Sequence, residues 1–418
     1  MQRKSRAECR TGLRPLPGRR TAKGAFWYVP ILILAFLLAS SAVGAVRAYT
    51  ELATVNANAS PYGIAYDSGK GEVFVANNGQ QAGEITRIFD NNDTVGGEVQ
   101  VCRGPTQVAY DSGRGEVFVS CSGESLGLVG VVNDSDFLGS YFSIQVGHGP
   151  TGMAYDAAKG EVFVANSGNS SVSVISDKSD SVVATIPVAE FPYGVAYDPV
   201  EGEVFVASCG NSCGSGNSTV SVISDGNDSV VHKVPIDPGA GMAAYDSGKG
   251  ETFVQTYAGV AVISDSKLKV VATIPLATAD SDSMAYDAAK GEVFTVVDSG
   301  VWAVSDSTDS VINQIPSGSS PYGVAYDSGQ GEIFVSNTGD GTLSVVSDVP
   351  VTMTTTVGPP PTTTGYATGT STPGASSSIE GVSVPEYPFQ AAAVVAFAVL
   401  LAVSYLLLRA RSSPGASA

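Results

Sequence analysis

GPTGMAYDAAKGEVFVANSGNSSVSVISDKSDSVVATIPV, residues Gly149 to Val188, is the stretch whose reading decides the fold. Near copies of it precede and follow it. Each carries Ala-Tyr-Asp or a variant, a short Gly-containing turn, and then Gly-Glu-x-Phe. The Tyr-Asp pairs begin at Tyr66, Tyr110, Tyr155, Tyr197, Tyr245, Tyr286 and Tyr326, in steps of 44, 45, 42, 48, 41 and 40 residues. Seven copies at that period identify a repeat architecture.

Inside the unit, four strands are predicted: Met153 to Asp156, Glu161 to Asn166, Ser171 to Ser176 and Ser181 to Pro187. They are rich in Val, Ile, Phe and Tyr, and the breaks between them are rich in Gly, Asn, Ser and Asp. No segment of the repeats keeps a helical apolar period. Four antiparallel strands in this length make one propeller blade. The contiguous apolar run Val162-Phe163-Val164 fits a strand covered on both faces. The last unit, Pro321 to Asp348, lacks a fourth strand, and Glu51 to Asn56 resembles the missing piece. The expected fold is all-β: a seven-bladed β-propeller of four-stranded blades, closed by its N-terminal strand and flanked by terminal transmembrane helices.

These units resemble the YVTN family of seven-bladed propellers, found in archaeal and bacterial surface proteins. The family's Tyr-Val-Thr-Asn strand corresponds to Phe74 to Asn77, Phe163 to Asn166 and Phe334 to Asn337. Its Val-Ser-Val-Ile-Asp strand corresponds to Val172 to Asp177 and Val220 to Asp225, and its Val-Val-Ala-Thr-Ile-Pro strand to Val182 to Pro187 and Val270 to Pro275. The match covers Glu51 to Asp348. It departs at Cys121 and Ser208, which replace the Asn, and at Thr256 and Val297. The resemblance implies the fold; propellers serve many tasks, so it leaves the function open.

The flanks read as membrane segments. Residues 1–24 are basic, with eight Lys or Arg, and 25–46 form an apolar run, either a removable export signal or an anchor helix. The propeller is expected over 50–349 and a Thr/Ser/Pro-rich stalk over 350–388. Residues 389–408 carry no charge and are long enough to span a bilayer, and the tail 409–418 opens with Arg409 and Arg411, a cytoplasmic stop. The repeats are then expected on the extracellular side of a cell membrane.

Between Ala48 and Pro388 there are 39 acidic and 11 basic residues, within a chain of net charge −18. That balance disfavours nucleic acid and anionic lipid surfaces as partners. Of five cysteines, four lie in the exported part, where disulfides persist. Cys209 and Cys213 can close a small loop, and Cys102 and Cys121 fall at one end of a strand pair, so both pairs are disulfide candidates. A metal at Cys-x3-Cys lacks a nearby His. Asn58, Asn92, Asn133, Asn169, Asn217 and Asn227 are glycosylation sequons.

Chemistry is sparse. His148 and His232, the two histidines, fall in different blades, and no nucleophile elbow, phosphate loop or zinc helix motif is present. An Asp recurs after each repeat Tyr (Asp67, Asp111, Asp156, Asp198, Asp246, Asp287, Asp327), with a Gly four residues on and a Glu after it. Such a ring invites calcium, but seven repetitions fit a scaffold better: Asp accepts from amides of its own turn, and Gly supplies positive φ. No cofactor is expected beyond a possible calcium. Specificity is expected where the repeats differ, at Tyr62, Gln107, Tyr193, Asp282 and Tyr322, in loops at one end of the ring.

The functional expectation is a membrane-anchored binding, adhesion or cell-envelope module for an extracellular protein or carbohydrate. An extracytoplasmic metal-dependent lyase or lactonase is the alternative, since related propellers place His and acidic residues at the axial mouth. A scaffold subunit of a surface-layer or membrane complex is the third reading.

Overall fold

A computed structural model describes residues 47–352, except 59, 80–82, 140, 211–212, 214–215, 217, 277–282 and 298–299. The basic segment, both apolar runs, nearly all of the stalk and the tail lie outside the described residues. So do Asp282 and Asn217.

Seven four-stranded antiparallel sheets follow one another. Blades one to seven begin with first strands Pro61–Asp67, Pro105–Asp111, Pro150–Asp156, Pro192–Asp198, Ala243–Asp246, Met284–Asp287 and Pro321–Asp327. First strands of neighbouring blades touch all the way round, including blade seven against blade one, so they line the axis. Fourth strands are outermost. In blade three that strand, Ser181–Pro187, alternates between exposed and covered positions, as a half-buried edge should.

The quoted repeat forms the elements expected of it, with one difference. The first strand of blade three starts at Pro150 instead of Met153, and its register is interrupted between those residues. Pro150 lacks an N–H for the ladder, and a Cβ on Gly152 would stand 2.3 Å from the carbonyl oxygen of Tyr193 in the next blade. Pairing therefore loosens where neighbouring inner strands press together.

Second strands are buried on both faces. Each places a Phe between blades: Phe74, Phe118, Phe163, Phe205, Phe253, Phe294 and Phe334 are all fully buried. The core is thus seven cores, one per interface. Phe163, for example, packs with Val172 and Val174 of its own blade and with Val204, Val206 and Ile223 of the next. A fully buried Phe contributes roughly 1.5–3 kcal/mol by transfer from water.

The ring closes as expected. The N-terminal strand, Arg47–Asn56, is the outer strand of blade seven and pairs antiparallel with Thr342–Thr352, from Asn56 opposite Thr342 to Arg47 opposite Thr352. This pairing carries the blade past the expected limits of 50 and 349, because both strands continue beyond the sheet body. Cys102 is bonded to Cys121 and Cys209 to Cys213, with Cα separations of 5.9 and 4.9 Å.

Candidate functional site

The ring has two unlike ends. At one end lie the turns joining first to second and third to fourth strands; it is called the Asp end here. The other, the Pro-Tyr end, holds the loops that enter each blade and those joining second to third strands.

At the Asp end each repeat Asp builds its own turn. Asp67 Oδ1 accepts from Gly69 N at 2.7 Å, and the Gly71 amide donates to the Asp67 carbonyl at 2.9 Å. Gly71 has φ +68°, and a Cβ there would stand 2.4 Å from an Asp90 carboxylate oxygen. Gly is required at this turn both for its backbone and for the closeness of Asp90. The same Asp-to-amide bond recurs in the other six blades.

The Tyr preceding each of these Asp residues donates to a second Asp, in the third turn of its own blade. Tyr66 reaches Asp90 at 3.0 Å, Tyr110 reaches Asp134 at 2.7 Å and Tyr326 reaches Asp348 at 2.7 Å, and the remaining four pairs span 3.3–3.4 Å. Burial first, and then carboxylates of its own and the preceding blade, push all seven phenols far above their ordinary range. They stay protonated and serve as donors. Five interfaces add a base three residues after the repeat Asp: Lys70, Arg114, Lys159, Lys249 and Lys290. Lys70 Nζ lies 2.6 Å from Asp134 and Lys290 Nζ 2.8 Å from Asp348, each in the following blade.

Inside this belt the axial space is open. One cavity of about 510 Å³ lies against the first strands of blades three to six, and one of about 380 Å³ against blades six, seven and one. They share Met284, Ala285 and Tyr286. Their walls are the Ala-Tyr pairs of the repeats, with Ser68, Ser247 and Ser328 at the turns. Sequence reasoning took the Asp of Ala-Tyr-Asp and passed over the Ala. Its small side chain, repeated on the inner strand, was the available signal for an open axis.

The Pro-Tyr end is built differently. A Cβ on Gly63, Gly194 or Gly323 would stand 2.2–2.5 Å from a carbonyl oxygen of the neighbouring blade. Side chains bridge these approaches: Thr151 Oγ1 donates to the Tyr193 carbonyl at 3.3 Å, and Ser336 Oγ to the Tyr62 carbonyl at 2.5 Å. Of the expected binding residues, Tyr62 and Tyr322 come together across the seam between blades seven and one, ring centroids 4.3 Å apart. Tyr193 is half-buried in blade four, and Gln107 is buried, its backbone N–H donating to Ser120 Oγ at 3.0 Å. None of the four lines either cavity. The same end also exposes Phe191 (45 %) and Tyr257 (41 %).

His148 and His232 are exposed and sit on separate blades. Among the described residues, Asp67, Glu72 and Asp134 are close enough to share an ion, with ligand atoms within 4.8 Å of one another. Lys70 on Asp134, and Arg87 at 3.5 Å from Glu72, already supply positive charge there. Of the sequons, Asn58, Asn92, Asn169 and Asn227 are exposed and Asn133 is half-buried.

No protein-family model matches the chain, and no curated protein matches it in sequence. Solved structures do match in fold. Hydrazine synthase of Kuenenia stuttgartiensis aligns with TM-score 0.61 at 18 % identity, over 69 % of this chain and 95 % of that one. The β-propeller domain of Cps50 (Swd1) from Myceliophteria thermophila aligns with TM-score 0.59 at 8 % identity, over 72 % of this chain and 99 % of that one. At these identities the likeness is one of fold.

Proposed function

We propose that the chain is a membrane-anchored extracellular binding or adhesion module of the YVTN type, and that it meets a protein or carbohydrate partner with its Pro-Tyr end. The observation that carries this reading is the pairing of Arg47 with Thr352. Both leads of the propeller leave from the Asp end. Attachment to a membrane through the apolar run at 25–46, just before the closing strand, would face that end to the bilayer and leave the Pro-Tyr end outward. The acidic balance keeps the module soluble and off anionic lipid. Two disulfides and exposed sequons suit an exported protein.

The outward face offers the Tyr62–Tyr322 pair, Tyr193, Phe191 and Tyr257. Aromatic side chains bury large areas with few rotors to order, which is why binding faces use them. The test is binding of the purified full chain to cell-envelope fractions of its own host. Replacing both Tyr62 and Tyr322 with Ser weakens binding at least tenfold, and Ser247→Trp, at the Asp-end cavity, leaves it unchanged. The reverse pattern, or turnover of a lactone or glycan by the chain, would overturn the proposal.

A further inference from the structure

Five blades are entered through the same bent backbone at the Pro-Tyr end. The residue before the first-strand Pro has positive φ in each: Ser60 (+55°), Gly104 (+63°), Gly149 (+64°), Phe191 (+52°) and Ser320 (+51°). In each, its carbonyl accepts from the first amide after the second strand. Asn78, Ser122, Ser167, Cys209 and Thr338 are those donors, at 2.8–3.1 Å. The fold therefore imposes the bend whatever side chain stands there. Gly adopts it without strain, and a bulky side chain does not. Phe191 is the one bulky residue of the five.

The interior does not account for that choice. Phe191 is 45 % exposed and belongs to none of the seven interblade cores. Its surroundings are braced, since Gly210 N donates to the Glu190 carbonyl at 3.0 Å and Cys209 is bonded to Cys213. An aromatic side chain is thus held outward on a strained backbone. Strain of that kind persists where the residue acts on something outside the fold.

Charge selects the partner. Among the described residues, the loops of this end carry Glu124, Glu190, Asp237 and Asp340, and Arg103 is their one Lys or Arg. An acidic polysaccharide is repelled by such a rim, and a neutral sugar leaves the carboxylates unanswered. A protein surface can supply both an apolar pocket and the Lys and Arg around it. We propose that Phe191 is the anchor of this face and enters an apolar pocket, rimmed by basic residues, on a protein partner. The proposal rests on the reading of the Pro-Tyr end as the binding face.

The experiment measures binding of the full chain to the cell-envelope fraction of its host, used untreated, after proteinase K and after periodate. Proteinase K should abolish binding and periodate should not. Phe191→Asn keeps a residue that accepts positive φ. It should weaken binding at least tenfold without lowering Tm by more than about 2 °C. Glu190→Lys should weaken binding at least threefold. Val200→Ser removes an exposed apolar side chain at the Asp end of the same blade and should change neither quantity. Unchanged binding in Phe191→Asn or Glu190→Lys, a larger fall in its Tm, equal loss in Val200→Ser, or binding that survives proteinase K would each overturn the proposal. If the Tyr62 and Tyr322 double variant still loses binding in that case, the face stands and only its anchor and partner class fall. If neither set of variants loses binding, both readings fall.

Discussion

Tyr49, in the closing strand, donates its phenolic proton to Glu292 in blade six at 2.8 Å, across 243 positions of sequence. Its ring meets Phe294 edge-on, centroids 6.4 Å apart. The closing strand thus fastens blade seven to its neighbour as well as completing its sheet. Tyr49→Phe keeps the ring packing and removes a hydrogen bond to a buried carboxylate. It should cost about 1–3 kcal/mol in chemical denaturation. A loss below 0.3 kcal/mol would mean that the bond is not formed in solution.

Equivalent interfaces should have equivalent weights in a closed ring. Phe163→Ala, between blades three and four, is expected to cost about 3–5 kcal/mol. Phe334→Ala, which empties the core between blades seven and one, should cost as much. An open array would make the terminal substitution much cheaper, and denaturant titration of the two variants separates these cases.

The two disulfides differ in what they constrain. Cys102 and Cys121 are 19 residues apart, and Cys209 and Cys213 only 4. Chain-entropy arithmetic gives about 3 kcal/mol for the longer loop and about 2 for the shorter. Replacing Cys102 and Cys121 together by Ser should therefore lower the denaturation midpoint more than replacing Cys209 and Cys213. The opposite ranking would contradict the entropic account.

Stability should rise as the medium is acidified from neutrality. Glu332 is lifted from 4.5 to about 7, and Glu72, Glu116, Glu161, Glu203, Glu251, Asp90, Asp93 and Asp306 are all raised, burial being the first cause in each. Between pH 4.5 and 7 the native state then binds more protons than the unfolded chain, so the slope of stability against pH is negative. Asp340, held low first by its bond from Thr342, acts in the opposite sense and only at lower pH. In metal-free buffer Tm should be higher at pH 5.5 than at pH 8, and Glu332→Gln should shrink the difference. A flat profile, or one rising with pH, would show that these carboxyls are not buried as described.

The ring itself was legible in the sequence, because each repeat states its own strands and turns and the shortfall in the last unit is matched by Glu51 to Asn56. The turn role of Asp67 and its equivalents was legible too, since it depends on residues within five positions. What each end of the ring offers was not. Whether the axis is open beside Ala285 or pressed shut beside Gly63 depends on how close one blade's inner strand comes to the next, which no single repeat records. The Lys-to-Gln change at position 330 is visible in the letters. Its setting is not, because the Asp90 carboxylate beside Gln330 belongs to blade one, more than 200 residues earlier in the chain.

The pairing of Arg47 with Thr352 also governs how the protein bears load. If tension enters through both leads at once, it pulls the two strands apart from their shared end, so their hydrogen bonds break in succession and not together. Blade seven then opens like a zipper at low force while the other six stay shut. A pull on the C-terminal lead alone, against a partner gripping the far rim, loads the same ladder lengthwise, where many bonds resist together. Retention or removal of the N-terminal segment would thus set whether the closure behaves as a weak link or a strong one.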